Sequence, residues 1–146
     1  MTTMLSAHFS LEELIASQEG TRAGIDNTPP DAVKEHLKVL AGHLDEVRAI
    51  LGHPMVISSG YRCPDLNTKI GGAKTSAHLD GYAADFICPK FGTPFQVAGK
   101  ILASGIKFDQ LIMEGTWVHI SFDPKMRQEP LTLLKGGGYK AGIANV

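Results

Sequence analysis

The stretch Phe108–Phe122, FDQLIMEGTWVHISF, decides the architecture. Its two halves, FDQLIM (108–113) and WVHISF (117–122), are apolar and rich in aromatic and β-branched residues, with Glu114-Gly115-Thr116 between them. Two such runs joined by a short glycine-containing link predict a β-hairpin. Upstream, AADFIC (83–88) reads as a strand stopped by Pro89, and MVIS (55–58) as a short buried strand. Helical patterns precede them. Ser10-Leu11-Glu12-Glu13 has the form of a capping box opening a helix over about 11–17. Residues 20–30 are rich in Gly, Asn, Asp and Pro and read as a loop. Pro29-Pro30-Asp31 then marks a new helix start. Val33, Leu37, Leu40, Leu44, Val47 and Leu51 recur at alternating spacings of three and four, the stripe of a long amphipathic helix that Gly52 ends. A helical turn is expected at 64–70 and a helix at 95–104, closed by Gly105. Helices followed by a small, mostly antiparallel sheet argue for an α+β fold.

A chain of 146 residues can bury a real core. One domain over 1–146 is expected, with its core at about 8–125 and residues 136–146 loosely held. The net charge of −1 gives no reason to expect a nucleic-acid or membrane-surface partner. No apolar run approaches the roughly 20 residues of a membrane span. The N-terminus shows no basic flank followed by the apolar segment of a secretory signal, so synthesis in the cytoplasm without a signal peptide is expected. Cys63 and Cys88 form no metal pair by spacing, and free thiols are expected.

His119 lies in the second half of the hairpin, and SAHLDGYAAD (76–85) adds His78 and Asp85. Two imidazoles and a carboxylate form a donor set that catalytic zinc takes, leaving a fourth position for water. Gly81, Ala83 and Ala84 would let the backbone fold closely around an ion. On a strand, Asp85 and Phe86 point to opposite faces, one toward the ion and one toward the core. Each residue also has a structural explanation. A strand histidine is more often a hydrogen-bonded core residue, and an aspartate at a strand start is usually a turn or cap residue. Spacing alone leaves both readings open.

Three runs carry a resemblance: SSGYRCPDLN (58–67), GGAKTSAHLDGYAAD (71–85) and FDQLIMEGTWVHIS (108–121). In that order they resemble the zinc D-Ala-D-Ala carboxypeptidase family, with its S-G-Y-R, S-x-H-x-x-G-x-A-x-D and W-x-H motifs; its fold is shared with the sonic hedgehog signalling domain. HFSLEEL, the GIDNTP loop and the long helix leading into LGHP resemble the phage-type branch, so the likeness covers about residues 8–125. The resemblance implies one zinc ion per chain, held by His78, Asp85 and His119. Relatives often place a general-base Glu three residues before the last histidine; here that residue is Thr116. The nearest carboxylate is Glu114, taken as the catalytic base against the alternative of a solvated hairpin-tip acid, with Asp109 and Asp80 as weaker candidates. Arg62 resembles the family's substrate-side arginine, able to bind a peptide carboxylate or steady an oxyanion; a surface salt bridge is the plain alternative. Ser76 would bond substrate or cap its loop. Tyr61 and Trp117 would line the cleft or pack. His8, His36, His43 and His53 read as surface or helix-face residues.

The implied activity is zinc-dependent hydrolysis of an amide in the peptidoglycan stem peptide, at or next to a D-amino acid, by a monomer. The small format resembles a phage or prophage wall-degrading enzyme, made in the cytoplasm and reaching the cell wall through a holin or as part of the virion. The alternative is a catalytically silent zinc-binding module that binds wall peptides or serves as a virion structural part. The missing E-x-x-H glutamate supports that alternative.

Overall fold

In the computed structural model, which describes residues 2–146, the chain opens with two short helices, α1 (Leu11–Ile15) and α2 (Gln18–Ala23). The predicted capping box forms. Ser10 Oγ accepts from the Glu13 N–H at 3.1 Å, and the Glu13 carboxylate accepts from the Ser10 N–H at 2.9 Å. Helix α2 begins before, and runs into, the segment read as a loop. The Ser17 hydroxyl accepts from the Gly20 N–H at 3.0 Å and starts a second helix, which ends at left-handed Gly24. Six residues give too little periodicity to read. The apolar stripe becomes α3 (Asp31–Leu51), whose end is set by Gly52 at φ 70°. Leu37, Leu40, Leu44, Val47 and Leu51 of that stripe are buried, and Val33 packs half-buried at its start.

Helices α4 (Pro64–Lys69) and α5 (Pro94–Ser104) and a 3-10 turn at Ala77–Asp80 alternate with six strands. These are β1 (Val56–Ser59), β2 (Ala83–Ile87), β3 (Gln110–Met113), β4 (Val118–Ser121), β5 (Glu129–Leu133) and β6 (Tyr139–Ala141). They form one sheet in the order β1-β2-β4-β3-β5-β6, antiparallel except for the β3–β5 pair. The fold is the expected α+β arrangement. β1 departs from the expectation of a buried strand: it is a sheet edge, and Val56 is 53% exposed. Residues 136–146, expected to be loosely held, include β6. The Thr132 hydroxyl donates to the Gly142 carbonyl at 2.8 Å and accepts from the Ala144 N–H at 2.9 Å, tying this segment to β5. β5 carries Pro130, which has no N–H to give to a sheet ladder, so the segment bears no clear strand signal in the sequence.

The sheet has two chemically different faces. Ala84, Phe86, Leu111, Met113, Val118 and Ile120 are buried in one core with α3 and α5. Their neighbours in the alternation point the other way. On that second face Asp85 stands opposite His119, and His119 opposite Ile112. Among the described residues, no helix is long and apolar enough to cross a membrane, and both cysteines are free thiols.

Candidate metal centre

Asp85 on β2 and His119 on β4 are direct cross-strand partners, so their side chains leave the sheet side by side. His78 arrives from the 3-10 turn. Ser76 starts this turn, its Oγ accepting from the His78 N–H at 3.2 Å, and Gly81 ends it at φ 76°. The donor atoms of His78, Asp85 and His119 all lie within 4.8 Å of one another. Asp85 Oδ1 is 3.2 Å from His78 Nε2 and 3.0 Å from His119 Nδ1. The two rings meet edge to face, with centroids 5.0 Å apart.

Protonation decides what this arrangement is for. Burial lowers the His78 pKa, outweighing the favourable pull of Asp85, and so favours the neutral imidazole with its single N–H. Nδ1 lies 2.6 Å from the Gly60 carbonyl, an acceptor only, so the proton belongs on Nδ1. Nε2 then points a lone pair at Asp85 Oδ1. Burial raises the Asp85 pKa, but the hydrogen bond from His119 opposes this and the carboxylate stays ionised, below its usual range. A lone pair facing an anion at 3.2 Å is repulsive unless a cation lies between them. The donor set therefore fits a divalent metal. The Gly60 carbonyl is the outer partner that fixes tautomer and ring orientation.

The surrounding cleft has a volume of about 490 Å³. Glu114 and Arg62 both line it, together with the three candidate ligands and Ser76. Glu114 is half-buried and not a solvated tip: burial raises its pKa, Asp85 adds to this, and His119 and Arg62 oppose it. Arg62 holds its backbone in place through an N–H donated to the His78 carbonyl at 3.1 Å. Burial lowers the guanidinium pKa, while Asp85 and Glu114 raise it. Its Nε is buried and, among the described residues, has no hydrogen-bond partner. Such an orphaned donor costs on the order of 1–3 kcal/mol unless a ligand supplies an acceptor.

Tyr61 and Trp117, expected to line the cleft or to pack, are not among its lining residues. Tyr61 is 4% exposed and belongs to the hydrophobic core, because its N–H bonds the Leu14 carbonyl at 2.7 Å and its own carbonyl accepts from Asn27. Trp117 adjoins Glu114 across the turn, where the Glu114 N–H donates to its carbonyl at 3.0 Å, and its indole N–H is buried without a partner among the described residues. The weaker base candidates are also accounted for. Asp109 is fully buried and held by Arg127 through bonds of 2.8 and 2.9 Å, and Asp80 is exposed outside the cleft. Of the other histidines, His8 pairs with Asp45, His36 stacks on Tyr82, His43 stacks on Phe122, and His53 is exposed.

Sequence reading missed three contributions. The Gly60 carbonyl is a backbone group with no signal of its own beyond the SGYR motif. Asn27 clamps the Tyr61–Cys63 turn through the Tyr61 carbonyl at 2.9 Å and the Cys63 N–H at 2.8 Å. Tyr139 lines the cleft from β6. Compared with known proteins, residues 7–121 match the family described as Peptidase M15. No curated protein matches the chain.

Proposed function

The chain belongs to the peptidase M15 family of zinc D-Ala-D-Ala carboxypeptidases, and from that premise we propose that it hydrolyses an amide bond of the peptidoglycan stem peptide, at or next to a D-amino acid. M15 peptidases are zinc-dependent, and His78, Asp85 and His119 could hold the metal. The observation that carries the proposal is the convergence on one cleft of this donor set, a desolvated Glu114 and an orphaned Arg62 Nε. Bound zinc would supply Lewis acidity, acidifying water and polarising the scissile carbonyl. Glu114 takes the proton from the attacking water and returns it to the leaving amine; its raised pKa brings it closer to the pH at which it works. Arg62 offers its unpaired N–H to a substrate carboxylate or to the developing oxyanion. The likeness of the N-terminal third to phage-type relatives supports a role in phage or prophage wall degradation.

The test is digestion of purified peptidoglycan by zinc-loaded protein, with mass spectrometry of the products and a chelator control. Free D-Ala alone would mean a carboxypeptidase; separated stem peptides or opened cross-links would mean an endopeptidase. Glu114→Gln should keep one zinc per chain and lose turnover by about 10²–10⁴-fold. If fully zinc-loaded protein releases nothing from several wall chemotypes, the enzyme reading fails and the silent-module alternative stands.

A further inference from the structure

The segment matched to the family ends at residue 121, yet the sheet continues for two more strands, and a residue of the last one reaches the cleft. The register shows how. Met113 pairs with Thr132 across β3–β5, so one step further Glu114 is level with Leu133, and Leu133 pairs with Tyr139. Glu114, Leu133 and Tyr139 thus form one row across the sheet, and alternation puts them on the same face as Ile112 and His119. Leu133 is half-buried, while Tyr139 lines the cleft and is 56% exposed.

We propose that Tyr139 is a substrate-positioning residue, and that the β5–β6 hairpin makes the enzyme select long peptides. This rests on the peptidase reading above. Two strand spacings separate Glu114 from Tyr139, about 10 Å at roughly 4.8 Å each. An extended peptide covers that distance in about three residues at roughly 3.4 Å each. The ring therefore contacts a stem-peptide residue about three positions from the bond that is cut. Aromatic contacts are sequence-tolerant, so the hairpin sets substrate length more than residue identity.

The experiment measures kcat and KM of zinc-loaded wild type, Tyr139→Ala and Tyr139→Phe on soluble muropeptides carrying the complete stem peptide. Lys140→Ala, the adjacent exposed residue outside the cleft lining, is the control for general disturbance of the strand. Tyr139→Ala should raise KM about fivefold to tenfold with kcat and zinc content unchanged, and Tyr139→Phe should recover most of the loss. Lys140→Ala should behave as wild type. An unchanged KM in Tyr139→Ala overturns the inference while leaving the peptidase reading intact. A loss of zinc or of kcat in Tyr139→Ala also overturns it, showing that the hairpin only supports the fold. If wild type neither cleaves nor binds the muropeptides, the peptidase reading fails and this inference fails with it.

Discussion

Gly60→Ala tests the metal centre through a residue that touches no metal. The Cβ of an alanine at 60 would overlap the Leu14 carbonyl oxygen and come within 3.0 Å of its carbon and 3.1 Å of Leu14 Cα. All three obstacles are backbone atoms at the end of α1, so no side chain can swing away. The Leu14 carbonyl also accepts the Tyr61 N–H at 2.7 Å, and the Gly60 carbonyl holds His78 Nδ1 at 2.6 Å. Relieving the clash must stretch one or both contacts. Overpacking of this kind costs about 1–3 kcal/mol, and a weakened hydrogen bond adds about 0.5–1.5 kcal/mol. The total, about 1.5–4.5 kcal/mol, is a large share of a typical domain stability of roughly 5–15 kcal/mol, but leaves the protein folded. For a chain of this size it lowers the Tm by roughly 5–15 °C. Loss of an outer partner of a metal-binding histidine should weaken zinc by about 10–100-fold. Thermal unfolding of the apo protein gives the first quantity, and zinc titration against a competing chelator gives the second. A lower Tm with unchanged zinc affinity would refute the orienting role of the Gly60 carbonyl. If neither changes, the close approach of α1 to this turn is not a constraint at all.

Arg127→Ala should cost about 1–3 kcal/mol at pH 7, because it removes the cationic partner of the fully buried Asp109 carboxylate and leaves it only the Ser121 hydroxyl at 3.5 Å and the backbone N–H of residue 127. Arg127 holds the Asp109 pKa below its unfolded value, so this stabilisation is fully present above about pH 4 and is lost as pH falls through the folded pKa. The wild-type and variant urea midpoints should therefore converge in acid; a constant gap would contradict the assignment. Chelation should lower the Tm of zinc-loaded protein: zinc at 100 times its Kd contributes about 2.7 kcal/mol, and readdition should restore the Tm. Identical melts with and without chelator would count against a resident metal. Arg62→Lys should retain zinc but lose at least about tenfold in kcat/KM, since a lysine cannot reproduce the planar fork; full activity in the lysine variant would reduce Arg62 to a point charge.

Long-range order was legible where periodicity was long. The stripe from Val33 to Leu51 needed only its spacing, and its buried members are those the pattern selects. The hairpin and the β2 strand were equally plain. Their pairing could not be read, because β4 inserts between β2 and β3 and β5 runs parallel to β3. Such neighbours are set by tertiary packing, which leaves no local signal. The ligand trio came from motif resemblance; its geometry came from the cross-strand pairing of Asp85 with His119. At Tyr61 the sequence leaves cleft lining and packing both open; Leu14 and Asn27 fix its backbone and its ring enters the core.

The displaced glutamate follows from the same geometry. On β4, alternation from His119 puts Trp117 and Ser121 on the metal face and would turn residue 116 away, so a strand-borne E-x-x-H could not aim its carboxylate there. On β3 the residues that share a face are Gln110 and Ile112, and Glu114 continues their alternation. Whether that is the metal face depends on register. A three-residue link of Glu114-Gly115-Thr116 would set Ile112 against Val118 and send Glu114 to the core side. In the structure Ile112 pairs with His119, the Glu114 N–H donates to the Trp117 carbonyl at 3.0 Å, and the turn shrinks to Gly115-Thr116 with Gly115 at φ 93°. A two-residue hairpin turn requires that positive φ at its first position, and glycine supplies it. One residue of slip would exchange every side chain between faces. Gly115 thus decides which face receives Glu114, and the E-x-x-H spacing can be lost without removing the carboxylate from the cleft.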